Sequence, residues 1–105
     1  MTSQLIARIR EALRDVIDPE LGYNIVDLGF IYDIRVEEDG TVIITMTMTT
    51  PGCPATVYLK DGVASSAANV AGVRNVDVRL TFDPPWKPDM MTVQARADLG
   101  FAVCN

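Results

Sequence analysis

Hydrophobic positions recur along this chain with two periods, and each change of period marks a new element. Leu5, Ile6, Ile9, Leu13, Val16 and Ile17 fall at helical spacing, with Arg8, Arg10, Glu11 and Arg14 between them. This predicts an amphipathic helix of about four turns, capped by Thr2 or Ser3 and stopped by Pro19. A turn follows over Asp18-Pro19-Glu20-Leu21-Gly22, and the stretch Tyr23 to Gly29 has no clean period and leads into a strand. Phe30, Tyr32, Ile34 and Val36 then alternate with Ile31, Asp33, Arg35 and Glu37. That alternation predicts a strand with one buried face.

Glu38-Asp39-Gly40 is a hairpin signal, because Gly40 can take a positive φ. The second strand places Val42, Ile44, Met46 and Met48 inward, with Thr45, Thr47 and Thr49 facing away. Its methionines are read as core filling. Ala55, Leu59, Val63, Ala67 and Val70 line one face of a second helix, weakened by Gly62 and closed by Gly72. Val76, Val78, Leu80 and Phe82 form a third one-faced strand. Met91, Val93, Ala95, Ala97 and Leu99 lie in a last helix stopped by Gly100.

The resulting order is α-β-β-α-β-α, with no repeats or linkers, so residues 1–105 are expected to form one domain. Half-apolar strands predict a small three-stranded mixed sheet with the helices on one face. The strand–helix–strand crossover makes the third strand parallel to the second. Whether the third strand lies beside the first or the second is open at this level. The polar face of the sheet is left for solvent or a partner.

Composition narrows the function. The chain has 105 residues, 49% hydrophobic and 22% charged, with a net charge of −5. No lysine or arginine cluster supplies the footprint of nucleic-acid binding or of an anionic membrane surface. No apolar run reaches the ~20 residues needed to span a bilayer, and the N-terminus is unlike a signal peptide. With two cysteines, a reducing, cytoplasmic home is expected. A structural disulfide between Cys53 and Cys104 is the lesser alternative. The chain has no histidine, which removes the commonest general base and zinc ligand. A stand-alone thiol enzyme is therefore disfavoured.

Three stretches could carry chemistry. In Thr49-Thr50-Pro51-Gly52-Cys53-Pro54, proline and glycine break the strand, and Pro54 suits the first position of a helix. Cys53 is then the expected N-cap, where unpaired N–H groups and the helix dipole favour thiolate. The alternative for Cys53 is a small buried apolar residue. In Asp18-Pro19-Glu20, two carboxylates share a rigid turn, and the alternative is a turn cap at Asp18 with a solvated Glu20. Trp86, among Pro84, Pro85 and Pro88, either plugs the core edge or meets a partner.

These stretches resemble the family of metal–sulfur cluster biosynthetic proteins, which includes SufT-like and PaaD-like proteins and the eukaryotic MIP18-type cytosolic assembly factors. The resemblance rests on Asp18-Pro19-Glu20-Leu21, Asn24-Ile25-Val26-Asp27-Leu28-Gly29, Thr49 to Pro54, Pro84-Pro85-Trp86-Lys87-Pro88 and Ala97-Asp98-Leu99-Gly100, in that order. It implies an α/β (α+β) iron–sulfur cluster assembly domain and a role in maturing iron–sulfur proteins, as an assembly or carrier factor rather than a conventional enzyme. It also implies a shared site of Asp18, Glu20, Leu21, Thr49, Thr50 and Cys53. There Cys53 is the reactive thiol and transient ligand of iron or a cluster, with Asp18 and Glu20 as further metal ligands. Partners implied are assembly proteins and apo-client proteins. Exposed sheet edges also permit a homodimer. The competing reading is a protein-binding adaptor, PaaD-like in serving a multicomponent oxygenase, with Cys53 structural.

Overall fold

The computed structural model describes residues 2–49 and 55–100. Its elements are α1 (Thr2–Leu13), β1 (Ile17–Asp18), β2 (Tyr23–Asn24), β3 (Ile31–Val36), β4 (Thr41–Met46), α2 (Thr56–Ala68), β5 (Asn75–Leu80) and α3 (Val93–Leu99), with a short 3-10 turn at Pro88–Met90 before α3. The sheet order is β3-β4-β5. β3 and β4 form the antiparallel hairpin, and β5 runs parallel to β4 after the α2 crossover. The third large strand thus lies beside the second, which makes β4 central and leaves β3 and β5 as edges.

The core gathers Ile9 and Leu13 from α1, Val42, Ile44 and Met46 from β4, and Leu59, Val63 and Ala67 from α2. Phe30, Ile25 and Leu28 fill the end of the sheet, and all of these side chains are fully buried. The other sheet face stays polar. There Arg79 pairs with Asp77 at 3.0 Å, and Arg35 lies 4.0 Å from Asp33.

Five elements differ from the sequence expectation. First, α1 ends at Leu13, six residues before Pro19, rather than running through Ile17. Arg14, Asp15 and Val16 instead donate to Glu11, Ala12 and Leu13, a tightening into i→i−3 turns. Val16 stays in the core, but Ile17 is 41% exposed because it has joined the small β1–β2 ladder.

Second, the β3 alternation breaks. Ile31 pairs with Met46 and Asp33 with Thr45, so Tyr32 is an extra residue at a bulge. Ile31 takes the buried place expected of Tyr32. The Tyr32 hydroxyl is re-aimed to the Pro84 carbonyl at 2.8 Å.

Third, Thr47 does not face away. Regular pairing of β4 ends at Met46, and the Thr47 N–H is held by the Phe30 carbonyl at 2.8 Å, which leaves both Thr47 and Met48 buried.

Fourth, α2 starts at Thr56 with Ala55 as its N-cap and no side-chain cap, so the expected N-cap at Cys53 does not hold. The helix closes at Asn69 rather than at Gly72, which sits in the following turn at φ +98°.

Gly62 is more than a weak point in α2. A Cβ there would lie 3.2 Å from Val16, so glycine lets α2 close on the segment after α1. Fifth, the last helix is shorter than expected at its start, with Thr92 as N-cap accepting from the Ala95 N–H at 3.2 Å. Gly100 stops it at φ +80°, as expected.

Candidate functional site

The acidic turn is built by a two-rung ladder in which Asp18 faces Tyr23 and Ile17 faces Asn24. Gly22 closes the turn at φ +67°, its N–H donating to the Asp18 carbonyl at 2.7 Å. Asp18 is only 3% exposed. Its Oδ1 accepts the Glu20 N–H at 2.8 Å, while Oδ2 accepts no hydrogen bond among the described residues. Glu20 is exposed, and Leu21 is half-buried against the core. The structural alternative for this turn, a capping Asp18 and a solvated Glu20, describes its resting geometry well. Beside it, the Tyr23 hydroxyl donates to Asp98 Oδ2 at 2.7 Å, which ties the last turn of α3 to the ladder. That bond to a carboxylate, with some burial, raises the Tyr23 hydroxyl above its ordinary pKa.

Sequence reasoning missed how the next stretch is held. Asp27 is 7% exposed and accepts from Arg14 at 2.8 Å and from the Asn24 amide at 3.1 Å. Its own N–H donates to Asn24 Oδ1 at 2.8 Å, and its carbonyl accepts the Thr92 N–H at 2.9 Å. One side chain and its peptide thus join the end of α1, the loop and the start of α3. The available signal was local: an Asn followed three residues later by an Asp is a side-chain-capped turn. Gly29, at φ +81°, packs against the Met90 backbone, where a Cβ would lie 2.4 Å from the carbonyl oxygen. Trp86 donates from Nε1 to the Leu28 carbonyl at 2.7 Å and meets Phe30 edge to face at 5.7 Å. It therefore plugs and tethers this corner.

Thr49 is exposed just past β4. The two sides of the loop that follows are joined, because the Thr56 hydroxyl donates to Met48 Sδ at 3.3 Å. Thr50, Cys53 and Cys104 lie outside the described residues. Asp18 and Glu20 share one turn, but no hydrogen bond or ion pair links them to Thr49 among the described residues. The connection is through the frame. Val16 accepts from Ile25, Ile25 accepts from Phe30, and Phe30 accepts from Thr47 beside the loop. Among the described residues no group of three or more Asp, Glu, Cys or His side chains could hold a metal ion. A mixed sulfur–oxygen site would therefore need a cysteine outside the described residues or a second molecule.

A family model described as iron–sulfur cluster assembly protein matches residues 6–99. An Fe-S protein maturation auxiliary factor of Porphyromonas gingivalis is 46% identical over 85% of this chain and 85% of its own. One from Bacillus subtilis is 41% identical over 95% of this chain and 98% of its own. A solved Bacillus anthracis structure, described as a domain of unknown function, superposes with TM-score 0.90 at 35% identity, covering 96% of each chain. With that coverage, and with the α-β-β-α-β-α order and mixed sheet in place, the chain belongs to the iron–sulfur cluster assembly protein family.

Proposed function

We propose that this protein is an accessory factor in the maturation of iron–sulfur proteins, handling iron or a cluster transiently through the Cys53 thiolate, with Asp18 and Glu20 assisting. The observation that carries the reading is the family match over residues 6–99, which spans every motif expected to build the site. The acidic turn supports it, because among the described residues Asp18 keeps one carboxylate oxygen unengaged within a rigid turn.

The chemistry is that of a competition. Carboxylates near a thiol disfavour the thiolate by like-charge repulsion. A bound cation reverses this, because thiolate and carboxylate then become its ligands. Fe²⁺ suits such a mixed site, and Zn²⁺ competes for it. Two cysteines in the whole chain fall short of the four thiolates that hold a common cluster. The cargo is therefore shared with a donor or an apo-client and passed on. Leu21, Thr49 and Thr50 shape the site rather than ligate. The edges β3 and β5 permit a second copy to bring its own Cys53 to a shared cluster. A reducing cytoplasm is the compartment that suits a free Cys53.

The test is maturation in cells that depend on this protein. With Cys53→Ala, the activity of a cluster-dependent dehydratase is expected to fall several-fold while the dehydratase polypeptide level is unchanged. Activity equal to wild type would refute the role of the thiol.

A further inference from the structure

Among the described residues four large apolar side chains are exposed, and two of them, Val57 at 67% and Tyr58 at 60%, stand on the first turn of α2. This turn directly follows the loop that carries Cys53. Tyr58, Asp61 and Ser65 recur at helical spacing on the outer side of α2 and form one wall of a cleft. The other wall is Asp15 and Val16, and Gly62 lies at the seam. Glycine sets its shape, since a side chain at position 62 would press on Val16. A third exposed apolar residue, Ile17, follows directly on that wall.

The rim is acidic and unsatisfied. Asp15 and Asp61 are exposed, and neither makes an ion pair or side-chain hydrogen bond among the described residues. Arg14, the cation next to Asp15, is already engaged by Asp27. Lys60 does not line the cleft. The hydroxyl of Ser65 likewise makes no side-chain hydrogen bond among the described residues. Apolar surface flanked by two aspartates that have no ion pair among the described residues, on a chain of net charge −5, repels anionic ligands and attracts a segment that brings both carbon and positive charge.

We propose that this cleft docks a partner protein through an amphipathic helical segment, in which an apolar side chain packs on Tyr58 and an adjacent arginine or lysine pairs with Asp61 and Asp15. The proposal rests on the maturation reading only for placing the partner beside the Cys53 loop. The docking chemistry stands on the cleft alone.

The test uses the full chain, isotopically labelled, and two short synthetic helical peptides of identical leucine pattern, one carrying arginines and the other glutamates between them. The arginine peptide is expected to shift the amide resonances of Asp15, Tyr58, Asp61 and Ser65, and the glutamate peptide to leave them in place. The double variant Asp15→Lys/Asp61→Lys should bind the arginine peptide about tenfold or more weakly and should gain affinity for the glutamate peptide. Tyr58→Ser, which leaves the charges intact, should weaken the arginine peptide as well. Shifts centred elsewhere, or an arginine-peptide affinity unchanged by the charge reversal, would overturn the proposal.

Cluster-enzyme maturation in cells separates the two readings. Cys53→Ala should lose maturation yet bind the arginine peptide as wild type does. Normal maturation with Asp15→Lys/Asp61→Lys would refute the docking role and leave the thiol's role standing.

Discussion

Two glycines at positive φ give the sharpest contrast in what a single side chain would do. Gly22 sits at φ +67° with open space around it, so Gly22→Ala should cost about 1–2 kcal/mol, the penalty of left-handed backbone alone. Gly29 adds a clash with the Met90 carbonyl, and Gly29→Ala should cost distinctly more. Urea titrations of both variants check the order. Asp39 offers a second test. Its Oδ1 accepts the Thr41 N–H at 3.0 Å in the β3–β4 turn, and that bond holds its carboxyl below the usual range. Since the folded-state pKa is the lower one, the contribution is present above the unfolded pKa of about 3.9 and is lost as pH falls through the folded value. The stability difference between wild type and Asp39→Ala should therefore be constant near neutrality and shrink in acid. Of these residues, Gly40 and its turn were legible in the sequence, because a turn glycine needs only its neighbours. Asp27 was not. Its partners Arg14 and Thr92 lie far along the chain, and no local pattern joins them.

The elements were legible where burial follows one period. β4 and α2 keep their expected inner faces, since Val42, Ile44 and Met46, then Leu59, Val63 and Ala67, are all fully buried. The failures fall where tertiary contacts override the period. Ile17 continues the helical stripe, yet it pairs with Asn24 instead. Tyr32 continues the strand alternation, yet the bulge sends its hydroxyl to Pro84. Trp86 links the loop before α3 to the Leu28 carbonyl across the same corner. Trp86→Phe keeps the ring against Phe30 and removes that bond, and should destabilise the protein by about 1 kcal/mol, read from the denaturant midpoint at unchanged m-value. Gly62 belongs here too. Gly62→Ala gains helix propensity of roughly 1 kcal/mol but presses on Val16, so the net change should be well below that gain.

The proposed function divides the molecule's labour between a rigid frame and the loop that carries Cys53. The sheet, α1 and the Asp27 hub fix the acidic turn, and the Thr56–Met48 bond closes the base of the loop that carries Cys53. The candidate site's framework was legible only in part. Asp18 and Glu20 announce themselves as paired carboxylates in a proline turn, whereas their relation to Thr49 depends on a relay of backbone bonds through Ile25 and Phe30. The acidic turn offers oxygen without sulfur, and the chain has no histidine to complete a resident metal site. Under the proposed function, a cargo held this way would be bound weakly and exchanged readily. The most direct measurement is anaerobic incubation with Fe²⁺ and sulfide, followed by desalting and iron and sulfide analysis of wild type, Cys53→Ala and Asp18→Asn. Wild type should retain iron that Cys53→Ala loses and Asp18→Asn holds less tightly; equal iron on wild type and Cys53→Ala would contradict the account.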